Sequence, residues 1–185
     1  MSRTCIALLR GINVGGKHKL PMAALRSIFE EAGCGEVRTY IQSGNVVFTA
    51  EPDLAARVPE RIGREIEARF GFTSPVVTRS AAELAEVAAS NPFVDPSVEE
   101  GVDEKALHVL FLRDAPAAAQ VAALDPDRSP PDRYTVRGRE VYLCCPQGVA
   151  RTKLTTRYFD SRLETVSTLR NWRTVRKLLE LAGGG

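Results

Sequence analysis

Apolar residues recur along this chain in two rhythms: short continuous runs, which suit strands, and stripes spaced three or four apart, which suit helices. Thr4 to Leu9 is a run of the first kind, closed by Arg10-Gly11, and predicts the first strand. Pro21 suits the first turn of a helix, because its fixed φ and missing N–H cost nothing there. Leu25, Ile28, Phe29 and Ala32 then share one helical face, and Gly33 stops the helix. Val37 to Gln42 and Asn45 to Thr49 read as two strands joined by a tight turn at Ser43-Gly44. A second stripe, Leu54, Val58, Ile62, Ile66 and Phe70, ends at Gly71. Pro59 lies inside it, so this helix either kinks or begins there. Pro75 to Thr78 supplies a fourth strand. The order is β-α-β-β-α-β, the ferredoxin-like split unit.

The rest of the chain repeats much of this order without repeating the sequence. A helix at Ala81–Ala89 and an acidic loop precede a strand at Leu107–Leu112 and a helix at Ala117–Leu124. Tyr134–Val136 and Val141–Cys144 form a hairpin around Gly138, and two helices follow, the last from Asn171 to Leu181. The expected fold class is α+β: two ferredoxin-like halves, mainly antiparallel sheets with helices packed on them. Asn91 to Lys105, rich in Pro, Asp and Glu, marks the boundary, giving halves at 1–90 and 91–185. The glycines at 183–185 read as a frayed end.

Composition narrows the classes of partner. Hydrophobic residues make up 44% and charged residues 26%, and the net charge is only +2. That balance by itself demands neither a nucleic acid nor a membrane surface. No apolar run reaches the roughly 18 residues of a membrane-spanning helix, and Met1 to Cys5 leads straight into a strand instead of a cleavable leader. Cys5, Cys34, Cys144 and Cys145 contain no C-x-x-C pair, and with only His18 and His108 beside them no metal site is expected. Free thiols in a reducing cytoplasm are the expectation. No motif implies a cofactor or specifies an oligomeric state.

Charge is nonetheless uneven. Between Arg151 and Lys177 eight basic residues face only Asp160 and Glu164, a surplus that invites an anionic partner. Arg10-Gly11-Ile12-Asn13-Val14-Gly15-Gly16-Lys17-His18 is the sharpest motif. Gly11, Gly16 and Lys17 match the G-x-x-x-x-G-K of a phosphate-binding loop, in which glycines let backbone N–H groups approach phosphate and lysine adds charge. His18 replaces the Ser or Thr that would hold magnesium, and the helix starts only at Pro21, so a nucleotide triphosphatase is disfavoured. The same glycines would also serve a wide turn.

Three further segments carry candidate chemistry. Gln42, Ser43 and Asn45 offer neutral hydrogen bonds within what is also ordinary turn sequence. Arg151 and Lys153 sit in a loop, Pro146 to Thr155, that runs into a helix. Asn171 could cap the last helix, Trp172 suits a core, and Arg173 could grip a phosphate or stack on a ring. No G-x-S-x-G elbow or H-E-x-x-H helix exists, so hydrolytic catalysis lacks support. His108, on a strand, reads as a packed histidine.

Together, Ala7 to Lys17, Tyr40 to Phe48, Asn91-Pro92-Phe93 and Asn171 to Thr174 resemble a bacterial family known as domain of unknown function 1697. The resemblance implies an α+β fold of two ferredoxin-like halves and no established activity. This chain has His18 where that family usually has Asn, and Cys144-Cys145 in place of more ordinary strand residues. The expected function is binding of a phosphorylated or otherwise anionic small ligand through Arg10, Gly11, Asn13, Gly15, Gly16 and Lys17. Gln42, Ser43, Asn45, Arg151, Lys153 and Arg173 are the other candidate ligand-binding residues. The alternatives are nucleic-acid binding through the basic C-terminal region, and a protein-interaction scaffold that pairs this region with the acidic loop Asp95 to Glu104.

Overall fold

In the computed structural model, residues 1–94 and 102–183 are described. Residues 95–101 of the acidic loop, and Gly184 and Gly185 of the tail, lie outside them. The chain divides into two units, Met1–Ala85 with Leu178–Gly185, and Glu86–Lys177. The division suggested by composition, between 90 and 91, lies a few residues beyond the first of these limits.

In the first unit β1 (Arg3–Leu9), α1 (Met22–Glu31), β2 (Gly35–Tyr40), β3 (Asn45–Ala50), α2 (Pro52–Phe70) and β4 (Val76–Ser80) follow in the expected order. The sheet order is β2-β3-β1-β4, and every neighbouring pair is antiparallel. Cys5, Ala7 and Leu9 alternate along β1 and meet Val46 and Phe48 of β3 on one face. Leu25, Ile28 and Phe29 of α1, with Val58, Ile62 and Ile66 of α2, close over that face. The Phe29 and Phe48 rings meet at 5.3 Å, tilted by 56°. Each side chain buried in this way adds roughly 1.5–3 kcal/mol of hydrophobic stabilisation.

Of the two readings of α2, beginning at Pro59 is ruled out. The helix begins at Pro52 and passes through Pro59. Its continuous buried stripe outweighs the local cost of a ring that removes one i→i−4 bond. Pro59→Ala is therefore expected to raise stability by about 1–2 kcal/mol, a part of the helix-interior penalty of proline, read from urea unfolding.

The second unit has the same plan: β5 (Leu107–Leu112), α4 (Ala118–Ala122), β6 (Arg133–Arg137), β7 (Glu140–Cys144), α5 (Thr156–Leu163) and β8 (Ser167–Asn171). Its sheet order, β6-β7-β5-β8, matches the first position for position, again antiparallel throughout. Leu110, Leu112, Val141 and Leu143 pack with Phe159 and Leu163 of α5. Cys145 joins this cluster, whereas Cys144 does not.

The strand β8 is the main departure from the sequence reading, which ran helix directly into helix. Ser167–Asn171 pairs with β5, placing Arg170 beside Val109. The ends of β4 and β8 form a repeated junction. At the end of β4, Arg79 pairs across from Ile6, and Nη1 donates to the Thr78 carbonyl at 2.8 Å. At the end of β8, Arg170 Nη1 donates to the Leu169 carbonyl at 2.8 Å. Both arginines are buried. The next residue caps a helix in each case: Glu83 N–H donates to Ser80 Oγ at 3.1 Å, and Thr174 N–H donates to Asn171 Oδ1 at 2.8 Å. Glu83 returns a bond from the Ser80 N–H at 2.7 Å, completing a capping box. The helices so capped are α3 (Ala81–Ala89) and α6 (Trp172–Leu181). Asn171 thus caps and Trp172 is buried, as the sequence suggested.

His108 is buried on β5, its Nδ1 3.2 Å from the Ala106 carbonyl. Burial pushes its pKa below the ordinary 6.5, against the smaller opposing effect of that hydrogen bond. Between the two values the unfolded chain binds a proton that the folded chain refuses, so stability is full above 6.5 and lost as pH falls through it. His108→Gln should remove up to about 1.4 kcal/mol per pH unit of slope below pH 6.5, measured by urea unfolding from pH 7.5 to 5.

Candidate functional site

Strand order settles which motifs meet. Since β3 lies beside β1, Leu8 pairs with Asn45, and the turn after β2 comes to the end of the sheet where β1 runs into Arg10. Leu9 N–H donates to the Gly44 carbonyl at 2.8 Å. Gly44 leaves no room for a side chain there: a Cβ would lie 2.7 Å from Leu9 Cβ and 2.8 Å from Ile12 Cδ1. The Arg10–Lys17 loop and the Gln42–Asn45 turn are therefore neighbours at one end of one sheet.

The loop is a small hairpin standing on a fixed base. Arg10 N–H donates to the Pro75 carbonyl at 3.0 Å, and Ser74 Oγ donates to the Arg10 carbonyl at 2.9 Å. Asn13 closes the base with three bonds: Nδ2 to the carbonyls of Leu20 and Gln42, each at 2.9 Å, and Oδ1 from the Leu20 N–H at 2.8 Å. Val14 and Lys17 form an isolated antiparallel bridge. Gly15 and Gly16 between them have φ of 58° and 75°, the mirror-image turn that a tight hairpin selects. His18 Nδ1 lies 3.0 Å from the Gly11 carbonyl, and its ring stacks on Phe72 at 4.6 Å. A carbonyl only accepts, so Nδ1 carries the proton.

This geometry separates the loop from that of a phosphate-cradling triphosphatase. Such a loop wraps the N-terminus of a helix on a parallel sheet, whereas here α1 starts at Met22 and β1 has antiparallel neighbours on both sides. The hairpin leaves a different set of groups available. The N–H groups of Gly11, Gly15 and Gly16 find no acceptor among the described residues. Lys17, His18 and Lys19 are exposed and Arg10 is half-buried, with no carboxylate anywhere from Arg10 to Leu20.

Backbone strain concentrates here as well. Asn13 (φ 54°), His18 (φ 49°) and Ile41 (φ 49°) are three of the five non-glycine residues in the left-handed region among those described. A β-branched residue such as Ile41 holds that conformation at a cost of order 1–3 kcal/mol. Ile41 and Val14 are also exposed, at 49% and 67%.

The candidate residues divide accordingly. Gln42 and Ser43 are exposed beside the loop, whereas Asn45 is fully buried, its Nδ2 donating to the Tyr40 carbonyl at 3.1 Å. Asn13 serves the loop's foundation. Arg151, Lys153 and Arg173 belong to the other unit and are exposed. The basic cluster around them is thinned by the fold. Arg170 is buried, and Arg176 pairs with Glu104 at 2.7 Å. Loop 146–155 is anchored where Ser129 Oγ accepts from the Lys153 N–H at 3.0 Å and Arg128 Nε donates to the Lys153 carbonyl at 3.0 Å. Sequence reasoning missed the partner segment Gly71–Pro75, because only the α2–β4 connection brings Phe72 and Ser74 to the loop.

All four cysteines are buried and free. Burial pushes Cys34 and Cys145 up to about 11 and raises Cys5, which keeps these thiols protonated and poor as nucleophiles. Among the described residues no three His, Cys, Asp or Glu side chains are grouped to hold a metal ion, and no helix is long and apolar enough to cross a membrane.

The fold and the loop define an α+β protein of two split β-α-β units, the first bearing a basic glycine hairpin. The chain belongs to the family described as protein of unknown function DUF1697, whose model matches residues 1–142. Among solved structures it is similar to a conserved bacterial protein from Streptococcus pneumoniae. That likeness has a TM-score of 0.72 at 22% identity and covers 98% of this chain and 99% of the other, which establishes a shared fold. The search of curated proteins found no match.

Proposed function

We propose that this protein binds a phosphorylated or otherwise anionic small ligand at the Arg10–Lys17 hairpin, in the cytoplasm. The supporting observation is the loop itself: three glycine N–H groups without acceptors among the described residues, in a segment carrying Arg10, Lys17 and Lys19 and no acid. Successive backbone donors beside fixed positive charge form a natural anion site. Gln42 and Ser43 add neutral hydrogen-bonding groups on the adjoining turn, and exposed Val14 and Ile41 offer contacts to an apolar portion of the same ligand.

Thermal unfolding against orthophosphate, nucleotides, phosphorylated metabolites and short oligonucleotides, at two salt concentrations, tests this reading. A ligand at ~100 times its Kd stabilises by about 2.7 kcal/mol. At this chain length each kcal/mol moves the midpoint by roughly 2–4 °C. A shift given by one small phosphorylated compound should vanish in Lys17→Ala, whose unliganded midpoint stays unchanged. A shift that survives both Lys17→Ala and Arg10→Ala would refute the proposal. Stabilisation by oligonucleotides alone, fading with salt, would favour nucleic-acid binding.

A further inference from the structure

His18 is exposed, yet its ring and backbone are both held. Its carbonyl accepts from the Asn13 N–H at 3.1 Å, closing the hairpin base, and its backbone lies in the left-handed region at φ 49°. Nδ1 donates to the Gly11 carbonyl at 3.0 Å, and the ring stacks on Phe72 with centroids 4.6 Å and planes 13° apart. Phe72 is half-buried and tilts against Phe70 at 6.4 Å, so the imidazole rests on a braced surface. An asparagine would meet two of these demands, because it tolerates a positive φ and its amide can donate to a nearby carbonyl. What the imidazole adds, besides the stack, is a second nitrogen. Nε2 has no hydrogen-bond partner among the described residues.

The pinned proton decides what that nitrogen can do. With Nδ1–H committed to Gly11, neutral His18 presents a lone pair at Nε2, which repels the oxygens of an anion. A second proton enters at Nε2, which then becomes a charged donor with no movement of the ring. The stack survives the change, since the negative π face of Phe72 favours the imidazolium. The charged residues on the same loop are Arg10, Lys17 and Lys19, of which Arg10 is already engaged. The segment packed against the ring, Gly71–Pro75, carries no charge. Glu67 and Arg69, at the end of α2, are both occupied: Glu67 Oε1 accepts from Thr73 Oγ1 at 3.5 Å, and Arg69 pairs with Glu31 and Glu65. On the adjoining turn, Tyr40 to Asn45, the one titratable side chain is Tyr40. A change of one charge at a fixed nitrogen acts whatever the total charge of these groups.

Gly11, which anchors the ring, also carries one of the three unmatched N–H groups, and Lys17 immediately precedes the histidine. We propose that His18 Nε2 is a proton-gated contact to the ligand: once protonated it donates to the anion held by the hairpin, so the site binds anions more tightly as pH falls through the histidine range. This rests on the hairpin binding an anion, and adds to that reading a further ligand-binding residue and a direction of pH dependence. Hydrogen bonds from a charged donor are short and strong, so protonation should raise affinity about tenfold or more. By reciprocity, the bound anion must raise the proton affinity of the ring by the same factor.

Sulfate is the probe, because it stays a dianion from pH 5 to 8, whereas a phosphate monoester gains a proton near pH 6 and would mask the effect. Amide shifts of Gly11, Gly15 and Gly16 in the intact chain give its Kd at pH 5.5 and 7.5, at constant ionic strength. Imidazole nitrogen shifts follow His18 itself. Sulfate should bind roughly five- to tenfold tighter at pH 5.5, and saturating sulfate should raise the His18 midpoint by about one pH unit or more. In His18→Asn, with a spectrum showing the fold intact, the two affinities should agree within about twofold. His108→Gln removes the other histidine and should keep the parental ratio. Equal affinities at the two pH values in the parent protein would overturn the role of His18 while leaving anion binding at the hairpin standing. An unmoved His18 midpoint, a retained ratio in His18→Asn or a lost ratio in His108→Gln would overturn it likewise. No saturable shift of the glycine amides at either pH would overturn both the proton gate and the binding it rests on.

Discussion

Gly44→Ala is expected to lower stability by about 2–4 kcal/mol in urea unfolding, far more than adding one methyl group to a surface turn. Two costs combine. The residue sits at φ 75°, where an L side chain costs roughly 1–2 kcal/mol. Its new Cβ would lie 2.7 Å from Leu9 Cβ and 2.8 Å from Ile12 Cδ1, and such overpacking costs a further 1–3 kcal/mol or so. Leu9 Cβ is held to β1, so the relief must come from the turn, which breaks register with the strand beside it. Gly15→Ala is the informative control. Its φ is also positive, at 58°, but nothing lies within 4 Å of the added carbon, so it should lose only about 1 kcal/mol. Equal losses in the two variants would show that conformation alone, and no close approach, sets the cost at Gly44.

The second large effect concerns Arg170. Burial pushes its pKa down to about 10, which corresponds to about 3 kcal/mol of penalty on the charged form. At neutral pH the guanidinium remains charged, held by bonds to Thr168 Oγ1 at 2.7 Å and the Leu169 carbonyl. Arg170→Ala leaves a cavity and strands those acceptors, and should cost about 3–5 kcal/mol. Arg170→Met restores most of the volume but strands the same acceptors, so it should recover only the cavity part of the loss and still cost about 1–3 kcal/mol. If the methionine variant is as damaged as the alanine one, the guanidinium itself holds β8 in place.

The same arginine explains where the sequence misleads. Ser167–Asn171 contains one apolar residue, Leu169, and its arginine looks like surface, so nothing in the hydrophobic pattern announces a strand. The other elements are legible because their stripes are unbroken: Ile62 and Ile66 predict α2 despite Pro59, and Leu107–Leu112 reads as a strand from one end to the other. At the candidate site the glycines are visible in the sequence, but which turn they make is not. The spacing of Gly11, Gly16 and Lys17 suggests a phosphate loop, whereas adjacent Gly15-Gly16 between Val14 and Lys17 is itself a hairpin signature. That the turn at Gly44 meets this hairpin depends on β3 lying beside β1, a long-range pairing that local sequence does not encode.

Asn13 has a practical consequence. By tying Leu20 and Gln42 together beneath the hairpin, it seals the loop off from the sheet, so residues 14–17 contribute little to holding the fold. The Gly15-Gly16 tip is consequently a natural splice point. A peptide tag or fluorophore inserted there would be displayed on an undisturbed scaffold, without rebuilding the protein beneath it.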